Sequence, residues 1–184
     1  MNSHHLILGE LKDFITGETI EDNHDERYRQ KIARLLVYKK GYNKNNIIKN
    51  NFIFLEKGKN RFKISIDYTV YIDDIPMMIV KYGPGSIVSR HMSAISSARL
   101  MGEYEIPVSV ATNGEDAETI DTASGKTIST GLDGILSKQE LAKIIVKRKI
   151  TDDIRQKAEK ILFAFDVDGR CPCDNSICSK SFKD

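Results

Sequence analysis

From Arg61 to Asp67 polar and apolar residues alternate without interruption, Arg61-Phe62-Lys63-Ile64-Ser65-Ile66-Asp67. This is the period-two signature of a half-buried strand, and the pattern continues to Ile72. Upstream, Ile47 to Glu56 also reads as a strand, and Lys57-Gly58-Lys59-Asn60 supplies the turn between the two. After a polar turn at Asp73-Asp74, the run Pro76-Met77-Met78-Ile79-Val80 predicts a third strand that carries Lys81 at its end. The period is helical before these strands. Tyr28, Ile32, Leu35 and Leu36 recur on one face of a helix over residues 22–40, Asn23 or Asp25 can cap its start, and Gly41 follows its last turn. Residues 43–50 read as a polar loop.

Tyr82-Gly83-Pro84-Gly85-Ser86 breaks the sheet pattern, and Ser86 or Ser89 can cap a second helix running to about Gly102, with Met92, Ile95 and Leu100 toward a sheet. Ile106 to Thr112 is nearly continuous and apolar, as a strand buried on both faces would be, and Asn113-Gly114 ends it. A polar hairpin follows, Thr119 to Asp121 and Lys126 to Ser129, joined through Ser124-Gly125. Two helices are predicted next, Ser137 to Lys149 with the capping pattern Ser137-Lys138-Gln139-Glu140, and Thr151 to Ala164. This order predicts a mixed α/β (α+β) architecture, a central sheet flanked by helices, in one domain over residues 1–165 with a tail over residues 166–184.

With 184 residues, 40% of them hydrophobic and 29% charged, the chain suits one main domain with a real core. No run of about 18 apolar residues predicts a membrane span, and Met1-Asn2-Ser3-His4-His5 lacks a signal-peptide pattern, so the expected location is the cytoplasm. A net charge of +2 does not by itself announce nucleic-acid binding. Local clustering does more. Lys39, Lys40, Lys44, Lys49, Lys57, Lys59, Arg61 and Lys63 face only Glu56 as an acid, with Tyr42, Phe52 and Phe54 interleaved. A positive stripe of this kind binds a phosphate backbone by releasing condensed counterions; a solvated lysine-rich surface has the same composition.

Asp67 and Lys81 close neighbouring predicted strands, with Ser65 and Thr69 expected on the face of Asp67. Such spacing places a carboxylate and an ammonium beside one phosphodiester. Mg²⁺ needs only one or two carboxylates and the phosphate, lowers the pKa of an attacking water, and leaves the lysine to orient that water or offset the developing charge. Yet Ile79 stands two residues before the lysine, where a second acid is expected. A satisfied strand-end acid and a snorkelling lysine would give the same spacing.

Arg90, His91 and Arg99 lie on or beside the second helix. Gly83 and Gly85 could let backbone N–H groups approach a phosphate at its start, or could serve only the turn geometry. His91 reads as an exposed helix histidine. Ser124-Gly125-Lys126-Thr127 resembles the end of a P-loop, but Ile120 stands where the motif needs glycine and no helix follows, so no ATP site is expected. Cys171, Cys173 and Cys178 in the tail are close enough to share a zinc ion, with Asp174, a histidine or a second chain as fourth ligand; free thiols are the alternative.

Several stretches together carry a likeness from Asp13 to about Leu141. They are Asp13-Phe14-Ile15-Thr16-Gly17-Glu18, Arg29-Gln30-Lys31-Ile32-Ala33-Arg34-Leu35-Leu36 leading to Lys40-Gly41-Tyr42, Lys81-Tyr82-Gly83-Pro84-Gly85-Ser86, Ser97-Ala98-Arg99-Leu100, and Thr112-Asn113-Gly114-Glu115-Asp116-Ala117. On these the chain resembles the N-terminal domain of type I restriction endonuclease R subunits, in its short stand-alone form within the PD-(D/E)XK nuclease superfamily. The resemblance implies a restriction-endonuclease-like fold, Asp67 as the motif's aspartate and metal ligand, Lys81 as its lysine, and Glu26 of the first helix as an auxiliary Mg²⁺ ligand. Acids are also favoured near a helix start by its dipole, whatever their function. With Ile79 in the motif, the second acid must be Glu26 or a loop residue such as Asp73 or Asp74. DNA is the implied partner, contacted through Lys39, Lys40, Lys44, Lys59, Arg90 and Arg99, with a second copy or a restriction-system protein as further partners. Three functions are thus in view: a Mg²⁺-dependent endonuclease, a non-cleaving DNA-binding or accessory module, and an interaction or metal-binding protein built on the cysteine tail.

Overall fold

The computed structural model describes residues 6–145 and 148–167. Its centre is a six-stranded mixed sheet in the order β3-β4-β5-β6-β7-β8. The strands are β3 (Ile47–Lys57), β4 (Asn60–Ile72), β5 (Ile75–Tyr82), β6 (Val108–Thr112), β7 (Ala117–Asp121) and β8 (Lys126–Thr130). A small hairpin, β1 (Gly9–Lys12) with β2 (Thr19–Asp22), precedes α1 (His24–Tyr38). The pair β5–β6 is parallel and is bridged by α2 (Val88–Leu100); the other neighbours in the sheet are antiparallel. The expected α/β class and central mixed sheet are therefore present.

The two faces of β5 explain the layering. Met78, Val80 and Tyr82 pack with Ile32, Ala33 and Leu36 of α1, whereas Ile79 packs with Ala98 of α2 and with Leu162 of α4 (Asp152–Leu162). Helices thus cover both sides of the sheet at its centre, and β5 and β6 are apolar on both faces as their unbroken sequences require. Asn23 caps α1 by accepting the Glu26 N–H. At Gly114, after β6, φ is +86° and a Cβ would lie 2.4 Å from the Tyr28 ring, so the turn's conformation and the seat for α1 both require glycine.

One element is not anticipated by the sequence pattern, and two local expectations are corrected. The β1–β2 hairpin before α1 does not show as alternating hydrophobicity, because its residues are mostly exposed. Ser137 caps a single turn, α3 (Lys138–Leu141), rather than a helix to Lys149. Downstream of it Ile150 N–H bonds the Glu103 carbonyl and Glu105 N–H bonds that of Arg148, so the chain extends here to pair with residues 103–105. Finally, α2 has no side-chain cap: Ile87 is its N-cap, and the Ser89 hydroxyl donates to the Ser86 carbonyl instead. α4 runs into a π-helical turn, Phe163–Val167. No helix among the described residues is long and apolar enough to cross a membrane.

Candidate functional site

β4 changes face at Asp67. Ile64 and Ile66 lie in the cluster with Ile79, Ala98 and Leu162, but Tyr68 and Val70 lie in the cluster under α1. Opposite Asp67 in β3, Asn50 has φ +54°, and the pairing skips Asn50 and Asp67 between Lys49↔Tyr68 and Asn51↔Ile66 while the register stays the same. Asp67 consequently does not share a face with both Ser65 and Thr69: Ser65 is exposed, while Thr69 is buried and its hydroxyl meets the Met101 sulfur. The β4–β5 pairing also ends here, at Tyr68↔Val80. The Asp67 side chain takes the place of the next rung, its Oδ2 accepting the Tyr82 N–H at 2.7 Å. Its other oxygen accepts from Arg29 Nε of α1 at 2.6 Å.

Lys81, almost fully buried, turns the other way. Its ammonium donates to Ser93 Oγ at 2.8 Å and Ser97 Oγ at 3.2 Å on α2, and to Asp166 Oδ2 at 2.9 Å beyond α4. Ser93 also donates to Asp166, at 2.6 Å. Asp67 is not at a strand end as expected but inside β4, five residues before its last residue, while Lys81 is next to last in β5; each is tied to an internal partner of opposite charge, one toward α1 and the other toward α2.

Glu26 belongs to a buried network that couples α1 to the β1–β2 turn. Lys49 donates to Asp13 and, at 2.7 Å, to Glu26. Gln30 donates to Asp13 at 2.7 Å and to Glu26 at 2.8 Å, and Arg29 lies 3.7 Å from Glu26. Asp13 also accepts the N–H groups of Ile15 and Thr16, which is why the turn after β1 folds inward. Charges alternate through Asp13, Lys49, Glu26, Arg29 and Asp67. Burial by itself would raise the Asp13 pKa, but Lys49, the Thr16 N–H and Gln30 outweigh it and hold the group at about 2 against an ordinary 3.8. For Arg29 burial acts to lower the pKa, and Asp67 and Glu26 reverse this, so the guanidinium is held more firmly protonated than usual.

The sign of the Asp13 effect fixes a pH dependence. A depressed folded-state pKa gives stability that is complete above the unfolded value and is lost as pH falls through the folded one, here from 3.8 toward about 2. Urea titrations across this window should show a loss of about 1–2 kcal/mol that Asp13→Asn abolishes, after allowing for partial screening. An unchanged acid slope in that variant would refute the assignment.

As these groups stand, they do not suit a divalent metal. A hard cation needs carboxylate oxygens turned toward it, whereas Asp67 already meets a guanidinium and a backbone N–H and Glu26 meets an ammonium. Ile79 is wholly buried in the core. Asp73 and Asp74 form the exposed β4–β5 turn, both at positive φ, rather than lining the site. Among the described residues no group of three or more His, Cys, Asp or Glu side chains is placed to hold a metal ion. Cys171, Cys173 and Cys178 lie outside the described residues.

The expected DNA contacts divide. Lys39, Lys44 and Lys59 are exposed, the second with its ammonium 4.0 Å from the Phe14 ring centroid. Lys40 donates to the Asp133 carbonyl. Arg90 lies across Gly83, where a Cβ would stand 2.0 Å from its guanidinium carbon, and donates to Pro84, so it fills the space offered to a phosphate. Arg99 is committed to Glu105 and the Thr122 carbonyl. Lys49 is withdrawn from the basic stripe by its two buried acids. His91 is half-buried between Glu118 and the Gly125 carbonyl, not an exposed helix residue. The Ser124-Gly125-Lys126-Thr127 segment is the β7–β8 turn, organised by Asp121 accepting from Ser124.

Sequence reasoning missed Arg29, the inward role of Lys49, and Asp166. Only the first had a signal, since Arg29 follows Glu26 by one helical turn.

Comparison with curated proteins and with solved structures returned no match. The family described as type I restriction enzyme R protein N terminus matches residues 24–135, a span from the first residue of α1 to just past β8 that contains Asp67 and Lys81. That span is more than half of the chain, which therefore belongs to the family of type I restriction enzyme R protein N-terminal domains.

Proposed function

We propose that this chain is a DNA-binding module of a restriction system that engages the phosphate backbone without cleaving it. One observation carries the reading: Asp67 and Lys81 are each bound to protein groups of opposite charge, Arg29 and Asp166, while the motif's second acid is replaced by a buried core residue, Ile79. Cleavage needs a carboxylate open to a metal and an ammonium facing the phosphate. Binding needs neither. It draws on the exposed cations at the end of α1 and along the β3–β4 hairpin, including Lys39, Lys44, Lys57, Lys59 and Arg61. The surrounding assembly would be another component of the restriction system or a second copy of the chain.

Binding to a short duplex should then be complete in EDTA and depend steeply on salt. With four phosphates neutralised, affinity falls about a hundredfold between roughly 50 and 200 mM monovalent salt. Fluorescence anisotropy over that range measures the slope. A flat isotherm, or binding that appears only with Mg²⁺, would overturn the reading.

A further inference from the structure

Alternation along the β3–β4 hairpin assigns its two faces opposite tasks. Ile53, Leu55, Ile64 and Ile66 point inward and are buried against Ala98 and Leu162. The outward positions should be polar on a simple half-buried hairpin. Instead they hold Phe52 and Phe54, 42% and 43% exposed, with ring centroids 5.0 Å apart at 67°. Across the strands the register sets Ser65 opposite Phe52, Lys63 opposite Phe54 and Arg61 opposite Glu56. The Arg61 guanidinium lies 3.6 Å from the Phe54 centroid and the Lys63 ammonium 4.3 Å from that of Phe52. Lys59 continues the charge at the hairpin tip, whereas Lys57 turns inward over the Phe163 ring, so the outward face carries Lys59, Arg61 and Lys63 against the single acid Glu56. That acid holds Arg61 only at 3.9 Å between two well-exposed side chains, a pair of little strength.

Rings and cations suit different parts of one ligand. A phenyl face stacks on a nucleobase of any identity, and a guanidinium already lying on a ring can stack on a base or donate its edge N–H groups to phosphate. Phe52 and Phe54 lie two residues apart on one face of β3 with ring centroids 5.0 Å apart, so the pair offers adjoining apolar surfaces to neighbouring bases of an unpaired strand. A duplex keeps its bases stacked inside and offers those rings nothing. We propose that the outward face of the β3–β4 hairpin is a platform for single-stranded nucleic acid, with Phe52 and Phe54 stacking bases and Arg61, Lys63 and Lys59 taking phosphates. The proposal rests on the DNA-binding reading and adds to its backbone contacts with duplex a separate site for a strand already parted from its complement.

The test compares a labelled oligothymidylate of roughly 20 nucleotides with a duplex of the same length, both titrated with the full chain. Phe52→Ala/Phe54→Ala should weaken oligothymidylate binding about tenfold or more and change duplex binding by less than about twofold. Phe52→Tyr/Phe54→Tyr should retain wild-type affinity for both. Arg61→Gln/Lys63→Gln, which leaves the rings in place, should weaken oligothymidylate binding and reduce the salt slope by about 1.4. Unchanged oligothymidylate affinity in the alanine variant, or equal losses with both probes, overturns the platform. So does a wild-type dimer that the alanine pair converts to monomer in sedimentation, since the face would then be covered by a second copy. Failure of the wild-type duplex arm alone instead refutes the preceding reading, and the two outcomes remain separable.

Discussion

Lys49→Ala is expected to destabilise the fold by about 3–5 kcal/mol, equivalent to roughly 10 °C in the melting temperature. Among the described residues Lys49 is the one cation that bonds both Asp13 and Glu26, and its own side chain is only 6% exposed. Alanine would leave a fully buried Asp13 carboxylate with Gln30 and two backbone N–H groups but no counter-charge. Removing one partner of a buried pair costs far more than the intact pair contributes, because the remaining charge has lost both water and its partner. The double variant Asp13→Asn/Lys49→Met should accordingly recover part of the loss. Urea denaturation measures both. A cost under about 1 kcal/mol for Lys49→Ala would show that the network does not hold α1 and the β1–β2 turn against the sheet.

Ile79→Glu has the second largest expected effect, a loss of about 3–5 kcal/mol. The substitution supplies the second acid of the motif that the resemblance implies, and on that ground alone it should improve a nuclease. Ile79 is fully buried among Ala98, Ile106 and Leu162, however. A carboxylate there must be desolvated, and the cation two residues along the same face, Lys81, is already bound by Asp166. The variant should unfold at lower urea concentration and gain no cleavage. Wild-type stability with metal-dependent nicking would contradict the placement of Ile79 as structure.

Much of this architecture follows from periodicity that can be read directly. The α1 face of Ile32 and Leu36, the β3–β4 alternation, and the doubly buried β6 are each set by residues that have one way to be buried. What escaped reading depends on groups distant in the chain. The place of Asp67 in an alternating run, read as a strand end but in fact inside β4, says nothing of Arg29, 38 residues before it, or of the face change opposite the left-handed Asn50. Lys81 meets Asp166, 85 residues later, outside the stretch carrying the family pattern. Lys49 looked like one more member of a basic stripe because composition counts charges without direction, and its two acids lie on other elements. The site is thus legible as a pair of residues and illegible as a set of partners. On the proposed reading, those partners decide between cutting and binding.

The most direct measurement is supercoiled plasmid incubated with the full chain in Mg²⁺ and, separately, Mn²⁺, with retention on DNA followed in the same reactions. The account predicts that plasmid is bound and remains supercoiled. Metal-dependent nicking that disappears in both Asp67→Ala and Lys81→Ala would contradict it, and would mean that Arg29 and Asp166 yield their partners to a metal and a phosphodiester.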